Sequence, residues 1–407
     1  MDPTVRLAVV QAAPTRTAAT PLRAIAVGLA AVGSALFIWA YGLQRDFFDL
    51  RIYVSAEKWW ASGHPLYEYV QPDRVQGELY FTYPPFAALL LRPFASVPVG
   101  FTIGFLTVFT VLATALTTWW LVTPVAHRRG LPVWFLAGVG TPIALALEPS
   151  RETISFGQIN MLLVVLILGD LLFAVPRRWW WAGAGVGLAA AIKLFPGIFI
   201  VYLLATRRWK AAAVASATAI GATLLAAAVA PRDSWRFWTH ELWSTARVGR
   251  TDYTGNQSLQ GMLARLTAPE LPPRAVWFLL VVVLAGFGLW RAARVTRSGD
   301  LVAGMTLTGL AGGLASPITW PHHVYWFIPA LVVLLDSDRR RDLALAAATF
   351  AVALYGVNTF VDWGVAPDRT VSVGAFVLRN LYVLMALVLL VWLPGRRIPE
   401  CAPNGQI

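Results

Sequence analysis

Charged side chains are scarce in this chain, 13% of its 407 residues against 57% that are hydrophobic. That is too little charge to solvate the surface of a water-soluble protein of this length, so a soluble globular fold is excluded. Cysteine is reduced to one residue, Cys401, which rules out a disulfide within the chain. Histidine is rare as well, five in all, and no cysteine–histidine group has the spacing of metal ligands. No metal or other cofactor is expected. Acids are the scarcer charge, 21 against 33 lysines and arginines, for a net charge of +12. The basic residues sit in short clusters between apolar runs, which is how topology signals look; no nucleic-acid partner is expected. The first 20 residues are polar and rich in Ala, Pro and Thr, without the short apolar core and cleavage site of a signal peptide. Residues 1–21 therefore read as a cytoplasmic tail ahead of a retained first helix.

What the chain has in abundance is apolar runs of about 20 residues, each read as long enough for a hydrocarbon core of roughly 30 Å. Candidate spans are 22–42, 99–122, 131–148, 160–175, 179–192, 195–206, 211–230, 275–292, 300–315, 323–336, 343–360 and 373–393. The pattern predicts an all-α integral membrane protein of about 12 transmembrane helices, a polytopic domain over 22–393 and a cytoplasmic tail over 394–407. Clusters such as Arg128-Arg129, Arg177-Arg178, Arg207-Arg208, Arg339-Arg340-Arg341 and Arg396-Arg397 then share the cytoplasmic side. This parity requires Pro84–Pro98 to lie in the interface as a short helix. It also makes 179–192 and 195–206 a hairpin of short helices turning at Lys193-Leu194-Phe195-Pro196-Gly197. The opposite side receives the long loops, above all 43–98 and 231–274, and with them most of the acids. Many of the nineteen tryptophans read as interfacial anchors.

A carboxylate at a membrane boundary is expensive unless something needs it there. Asp46 and Asp49 open the first long loop three residues apart, on one side of an expected helical turn. Either could solvate the loop or pair with Arg45 and Arg51; the functional reading is a general base for an acceptor hydroxyl, best met by Asp49. Glu57 and Glu68 in the same loop are possible helpers. Tyr83-Pro84-Pro85 forms a rigid turn at the loop's end. Gln158 and Asn160 can cap a helix or bind sugar hydroxyls. Lys193, flanked by Ile192 and Leu194, either snorkels or meets an anion, for which a lipid phosphate is the obvious candidate. Asn256 and Gln257 can cap a helix or line a cavity. In Trp320-Pro321-His322-His323 the adjacent histidines diverge too far to share a metal, so His322 reads as a donor to a phosphate or hydroxyl, or as a helix cap.

Taken together, Phe48-Asp49-Leu50-Arg51-Ile52-Tyr53, Tyr83-Pro84-Pro85, Gly157-Gln158-Ile159-Asn160, Lys193-Leu194-Phe195-Pro196, Asn256-Gln257-Ser258 and Ser316-Pro317 through His322-His323 resemble GT-C glycosyltransferases. More narrowly they are similar to glycosyltransferase family 87, the actinobacterial branch acting on cell-envelope glycolipids. The resemblance implies a GT-C fold with juxtamembrane helices in the first outer loop, in the plasma membrane, with the site on the extracytoplasmic face. It implies a metal-independent, inverting transfer of mannose from polyprenyl-phosphomannose to the 2-hydroxyl of a phosphatidylinositol mannoside. By motif position Asp49 is the base. Lys193, His322 and His323 would face the donor phosphate, and Asp46, Tyr53, Tyr83, Gln158, Asn160, Asn256, Gln257 and Trp320 the sugars. Two alternatives stand beside this: transfer of arabinofuranose from a polyprenyl-phosphate donor by the same family, and a flippase for a polyprenyl-linked glycolipid. Repeated halves with matching helix breaks would favour transport, and the Lys193 break has no obvious counterpart.

Overall fold

A computed structural model of the chain describes residues 19–42, 45–73, 77–244, 247–357 and 369–396. The expected tails fall largely outside these residues, as do Cys401 and most of the loop expected at 361–372. The helices in chain order are α1 (Ala19–Tyr41), α2 (Phe48–Ala61), α3 (Pro85–Leu91), α4 (Val99–Arg129), α5 (Val133–Ala146), α6 (Glu148–Phe156), α7 (Asn160–Gly169), α8 (Ala184–Ile192) and α9 (Ile198–Ala205). They continue as α10 (Trp209–Val229), α11 (Pro231–Thr239), α12 (Leu259–Thr267), α13 (Arg274–Arg297), α14 (Leu301–Ala315), α15 (Phe327–Leu335), α16 (Arg340–Tyr355), α17 (Val373–Arg379) and α18 (Leu381–Trp392).

Among the described residues, α1, α4, α10 and α13 are long and apolar enough to cross a bilayer alone. The pairs α5–α6 and α17–α18 join them if each pair is one bent span, at 64° and 76°. This is a multi-pass membrane protein, mostly helical, and four to six helices meet the length test where about 12 spans were expected. The shortfall has a local cause. Several expected spans hold only a short helix, such as α8 (Ala184–Ile192), α14 (Leu301–Ala315) and α15 (Phe327–Leu335), and the break expected at Lys193 is present as an extended residue after α8. The remaining apolar helices are shorter, as at Leu301–Ala315.

The all-α expectation needs one correction. In the first loop, Val70–Asp73 and Gly77–Tyr80 form an antiparallel two-stranded ribbon, β1 and β2, with Val70 opposite Tyr80 and Asp73 opposite Gly77. Val70 and Tyr80, β-formers facing each other at one end, and Pro72, a poor helix residue, favour this pairing over a helix. The segment Pro84–Pro98 folds as α3 and a 3-10 turn over Arg92–Ser96, each far too short to cross a bilayer.

Close approaches set the rest. Gly183, in the left-handed region at φ 108°, lies against the Ala211 carbonyl, where a Cβ would come within 2.0 Å. Gly187 meets the Ala215 carbonyl in the same way. The start of α8 is thus clamped to the start of α10, while α9 leads directly back to that same start. α8 and α9 therefore run in opposite senses, and Lys193 sits at the turn between them. Buried Asp170 caps α8 by accepting from the amides of Gly183 (2.8 Å) and Val186 (3.0 Å).

α2 buries Leu50, Ile52, Tyr53, Val54, Ala56 and Glu57. Leu50, Tyr53, Val54 and Glu57 follow one another at three- and four-residue steps, a single helix face. Glu57 is the anomaly on it: fully buried, with neither carboxylate oxygen hydrogen-bonded to a described residue. Burial pushes its carboxyl up to about 8, only partly offset by Arg92. Below pH 4.5 Glu57 is protonated in both folded and unfolded chains. Between there and about 8 the unfolded chain loses the proton first, so stability drains away as pH rises. Glu57→Gln should therefore raise Tm over the parent by a margin that widens from pH 5 to 8 and then levels off. A constant or shrinking margin would show that Glu57 is ionised in the fold.

Candidate active site

The turn before α2 places the first carboxylate. Asp46 and Phe47 both take left-handed φ values, 48° and 53°, so the helix starts only at Phe48 and the two aspartates do not share a helical face. α6 holds this turn from below. The Ser155 hydroxyl accepts from the Arg45 amide at 2.8 Å, the Ser155 carbonyl accepts from the Phe47 amide at 2.9 Å, and Glu152 pairs with Arg45 at 3.6 Å. Asp46 turns outward, its side chain 81% exposed and paired with Arg51 at 2.9 Å. It takes the loop-pairing role foreseen as its plain alternative and lines neither cavity at this end.

Asp49, in the first turn of α2, points into the protein and accepts a hydrogen bond from Gln158 Nε2. Gln158 is delivered by Gly157, left-handed at φ 69°, whose missing Cβ would stand 2.6 Å from that of Leu50. Only glycine allows α6 to end this close to α2. The amide's oxygen accepts from Tyr83 Oη at 2.6 Å, and its nitrogen also faces Tyr53 Oη at 3.2 Å. Tyr83 Oη in turn lies 3.5 Å from Lys193 Nζ. Lys193 also donates to Asn160 Oδ1 (3.2 Å) and lies 2.8 Å from His323 Nε2. Asn160 Nδ2 donates to the His322 carbonyl at 2.9 Å, tying α7 to the histidine turn.

Two cavities share this network. One, about 240 Å³, is lined by Asp49, Glu152, Phe48, Tyr253, Trp320 and His322 among others. Its neighbour, about 220 Å³, is lined by Tyr83, Lys193, Arg247 and His323 among others. Val248 borders both. The adjacent histidines, with ring centroids 4.5 Å apart and planes crossed at 87°, thus face different chambers. His322 is buried, and its two ring nitrogens are closed off from solvent with no partner among the described residues. Burial, reinforced by Lys193, holds its ring well below the usual histidine range, so it stays neutral, with one donor and one acceptor nitrogen.

Of the residues singled out in the sequence, Asp49, Tyr53, Tyr83, Gln158, Asn160, Lys193, His322, His323 and Trp320 are gathered here. Asn256 and Gln257 are not. Asn256 donates to the carbonyls of Thr251 and Pro317 and accepts from the Thr319 amide. Gln257 bonds the carbonyls of Thr254 and Arg379 and the Tyr382 amide. Their hydrogen-bonding capacity goes to fastening the 316–320 turn and α18, which is why they read as polar yet touch neither chamber. Glu68 lies elsewhere too, paired with Arg236 at 2.6 Å. Glu152, Arg247 and Tyr253 were missed: none sits in a distinctive motif, and only folding brings them to the chambers.

The electrostatics suit a base. Burial pushes the Asp49 carboxyl up to about 6, while the Gln158 hydrogen bond and the Lys193 charge hold it down from going further. Near neutral pH it is ionised, yet basic enough to take a proton. Burial keeps the phenol of Tyr83 protonated well above its ordinary value, so it stays a donor to Gln158.

Asp49 and Lys193 thus stand on opposite sides of one aromatic and amide bridge in a multi-pass helical protein, an arrangement suited to a membrane enzyme working on a partly polar substrate. The chain belongs to glycosyltransferase family 87, whose model matches residues 81–317. It is 34% identical over 79% of its length, and 78% of the relative's, to a polyprenol-phosphate-mannose-dependent α-(1-2)-phosphatidylinositol mannoside mannosyltransferase of Mycobacterium tuberculosis. A pentamannoside mannosyltransferase of the same donor class, from Mycolicibacterium smegmatis, is 31% identical over 79% of both chains. An α-(1->3)-arabinofuranosyltransferase of Corynebacterium glutamicum is more distant, 26% over 64% of this chain and 60% of its own. No solved structure matches significantly. The protein is a glycosyltransferase, and the flippase reading is set aside.

Catalysis should show an acid limb near pH 6, where Asp49 takes up its proton and kcat/KM falls. Gln158→Leu removes a bond that favours the carboxylate, so the limb should move upward by about one pH unit, the worth of a charge-assisted hydrogen bond. A limb that stays in place in the variant would assign it to another group.

Proposed function

We propose that this glycosyltransferase moves mannose from polyprenyl-phosphomannose to the 2-hydroxyl of a phosphatidylinositol mannoside, forming an α-1,2 bond with inversion. The observation that carries the reading is the pair of adjoining chambers, Asp49 in one and Lys193 in the other. The acceptor sugar occupies the Asp49 chamber, where Trp320 and Tyr253 offer aromatic faces and His322 forms part of the wall. Asp49 takes the hydroxyl proton as that oxygen bonds to the anomeric carbon from the face opposite the phosphate. The carbon–phosphate oxygen bond breaks, and polyprenyl phosphate leaves with the electron pair. Its added negative charge is met by Lys193, with His323 beside it and Arg247 on the same wall. A phosphate leaves as a stable anion, so no second carboxyl is needed to protonate it, in contrast to glycoside hydrolysis.

Mannose is favoured because the relatives at 31–34% identity that cover about three quarters or more of the chain are named for that donor. The arabinofuranosyltransferases reach 26–27% over 61–64%. The wider architecture fits a GT-C domain over 22–393 with about 12 passes, several made by the short helices, and 43–98 as the catalytic loop. The site then faces the extracytoplasmic side of the plasma membrane.

Purified protein offered labelled polyprenyl-phosphomannose and phosphatidylinositol tetramannoside should yield a longer glycolipid whose new linkage is α by NMR. Transfer from polyprenyl-phosphoarabinose alone would move the assignment to arabinofuranose, and a β linkage would overturn inversion.

A further inference from the structure

A cavity larger than either catalytic chamber, about 880 Å³, lies at the other end of the bundle. One of its walls is the last turns of α4, a 31-residue helix that starts just after the catalytic loop. At 1.5 Å per residue the two ends are about 46 Å apart, more than the hydrocarbon core. The inner walls are apolar, with Leu121 and Val125 of α4, Leu172, Val302 of α14, and Val332 and Val333 of α15. The rim is charged, and a second opening of about 460 Å³ shares Arg128, Asp336, Arg339 and Arg396 with it.

The charged side chains at this rim are not all paired. Asp336 alone receives Arg128, Arg129 and Arg396, and Arg129 also reaches Asp338 at 2.8 Å. Asp342 pairs with Arg341 at 3.0 Å and accepts from Ser337 Oγ at 2.7 Å. Asp300 accepts from the amides of Ala303 (2.9 Å) and Arg396 (3.0 Å). Four aspartates and four arginines thus line the two openings, and of these arginines the side chain of Arg339 alone has no partner among the described residues.

We propose that this cavity binds a membrane phosphodiester lipid, its single negative charge at Arg339 and one hydrocarbon chain along the α4–α15 wall. The one unpaired guanidinium matches one phosphodiester, and the apolar depth takes the chain. Basic pockets between transmembrane helices recognise lipid headgroups by the same combination. The site is independent of the transfer reaction and lies on the other side of the bilayer from it.

The test is thermal unfolding of the full chain in detergent, titrated with short-chain phosphatidylglycerol, short-chain phosphatidylcholine or inorganic phosphate. Phosphatidylglycerol should raise Tm at concentrations about tenfold below those phosphatidylcholine needs, and phosphate alone should not raise it. Arg339→Gln, which breaks no pair, should leave the lipid-free Tm unchanged and weaken phosphatidylglycerol about tenfold. Val332→Trp, which fills the apolar wall, should abolish the difference between the lipids. Equal stabilisation by both lipids, no response to Arg339→Gln, or a rise with phosphate alone would each overturn the proposal.

Discussion

A polar group withdrawn from water must find its partner within the protein, and at the catalytic end one side chain answers for several. Gln158 gives its amide hydrogens to Asp49 and Tyr53 and its oxygen to Tyr83. Through Tyr83 the chain of contacts reaches Lys193, and through Lys193 it reaches Asn160 and His323. Five separate stretches of sequence meet in this network, and none of them could place its polar group alone. Gly157 makes the meeting possible by letting α6 end against α2. The Asp49 carboxylate is thereby held largely out of water, with its carboxyl raised to about 6, and still ionised at neutral pH.

The same constraint shapes the distribution of charge along the bundle. Around Asp336 three arginines converge from the end of α4 and from the chain after α18. The end around Asp49 uses single buried groups, several of them joined through Gln158 and Lys193, whereas the far end uses clustered ion pairs. The first arrangement suits chemistry on a neutral hydroxyl and a departing anion. The second suits an interface with charged headgroups.

Much of the catalytic end was legible in the sequence because an isolated carboxylate or lysine within apolar surroundings is costly and therefore informative. Asp49, Lys193 and the paired histidines were found in that way, and the fold brings them together. Asn256 and Gln257 show the limit of the signal: amides fastening backbone look, residue by residue, like amides awaiting a sugar. Asp46 shows another, since its exposure depends on two left-handed residues that no periodicity reveals. Helix length was the least legible feature. Hydropathy marks where an apolar run ends, as at Lys193, but not how many of its residues are helical: the run 179–192 holds a helix only from Ala184. The β1–β2 ribbon was hidden for a related reason, being a few alternating residues inside a loop otherwise read for its charges.

The central claim is that Asp49 supplies the base while the cationic chamber holds the donor, so the two functions should separate under mutation. The most direct measurement is steady-state mannose transfer by Asp49→Asn, with kcat and the KM for polyprenyl-phosphomannose determined separately. The asparagine keeps the shape and a hydrogen bond to Gln158 but cannot take a proton. The account predicts a kcat lower by about a thousandfold, the range of general-base catalysis, with the donor KM nearly unchanged. Near-normal turnover by a folded Asp49→Asn protein would contradict it.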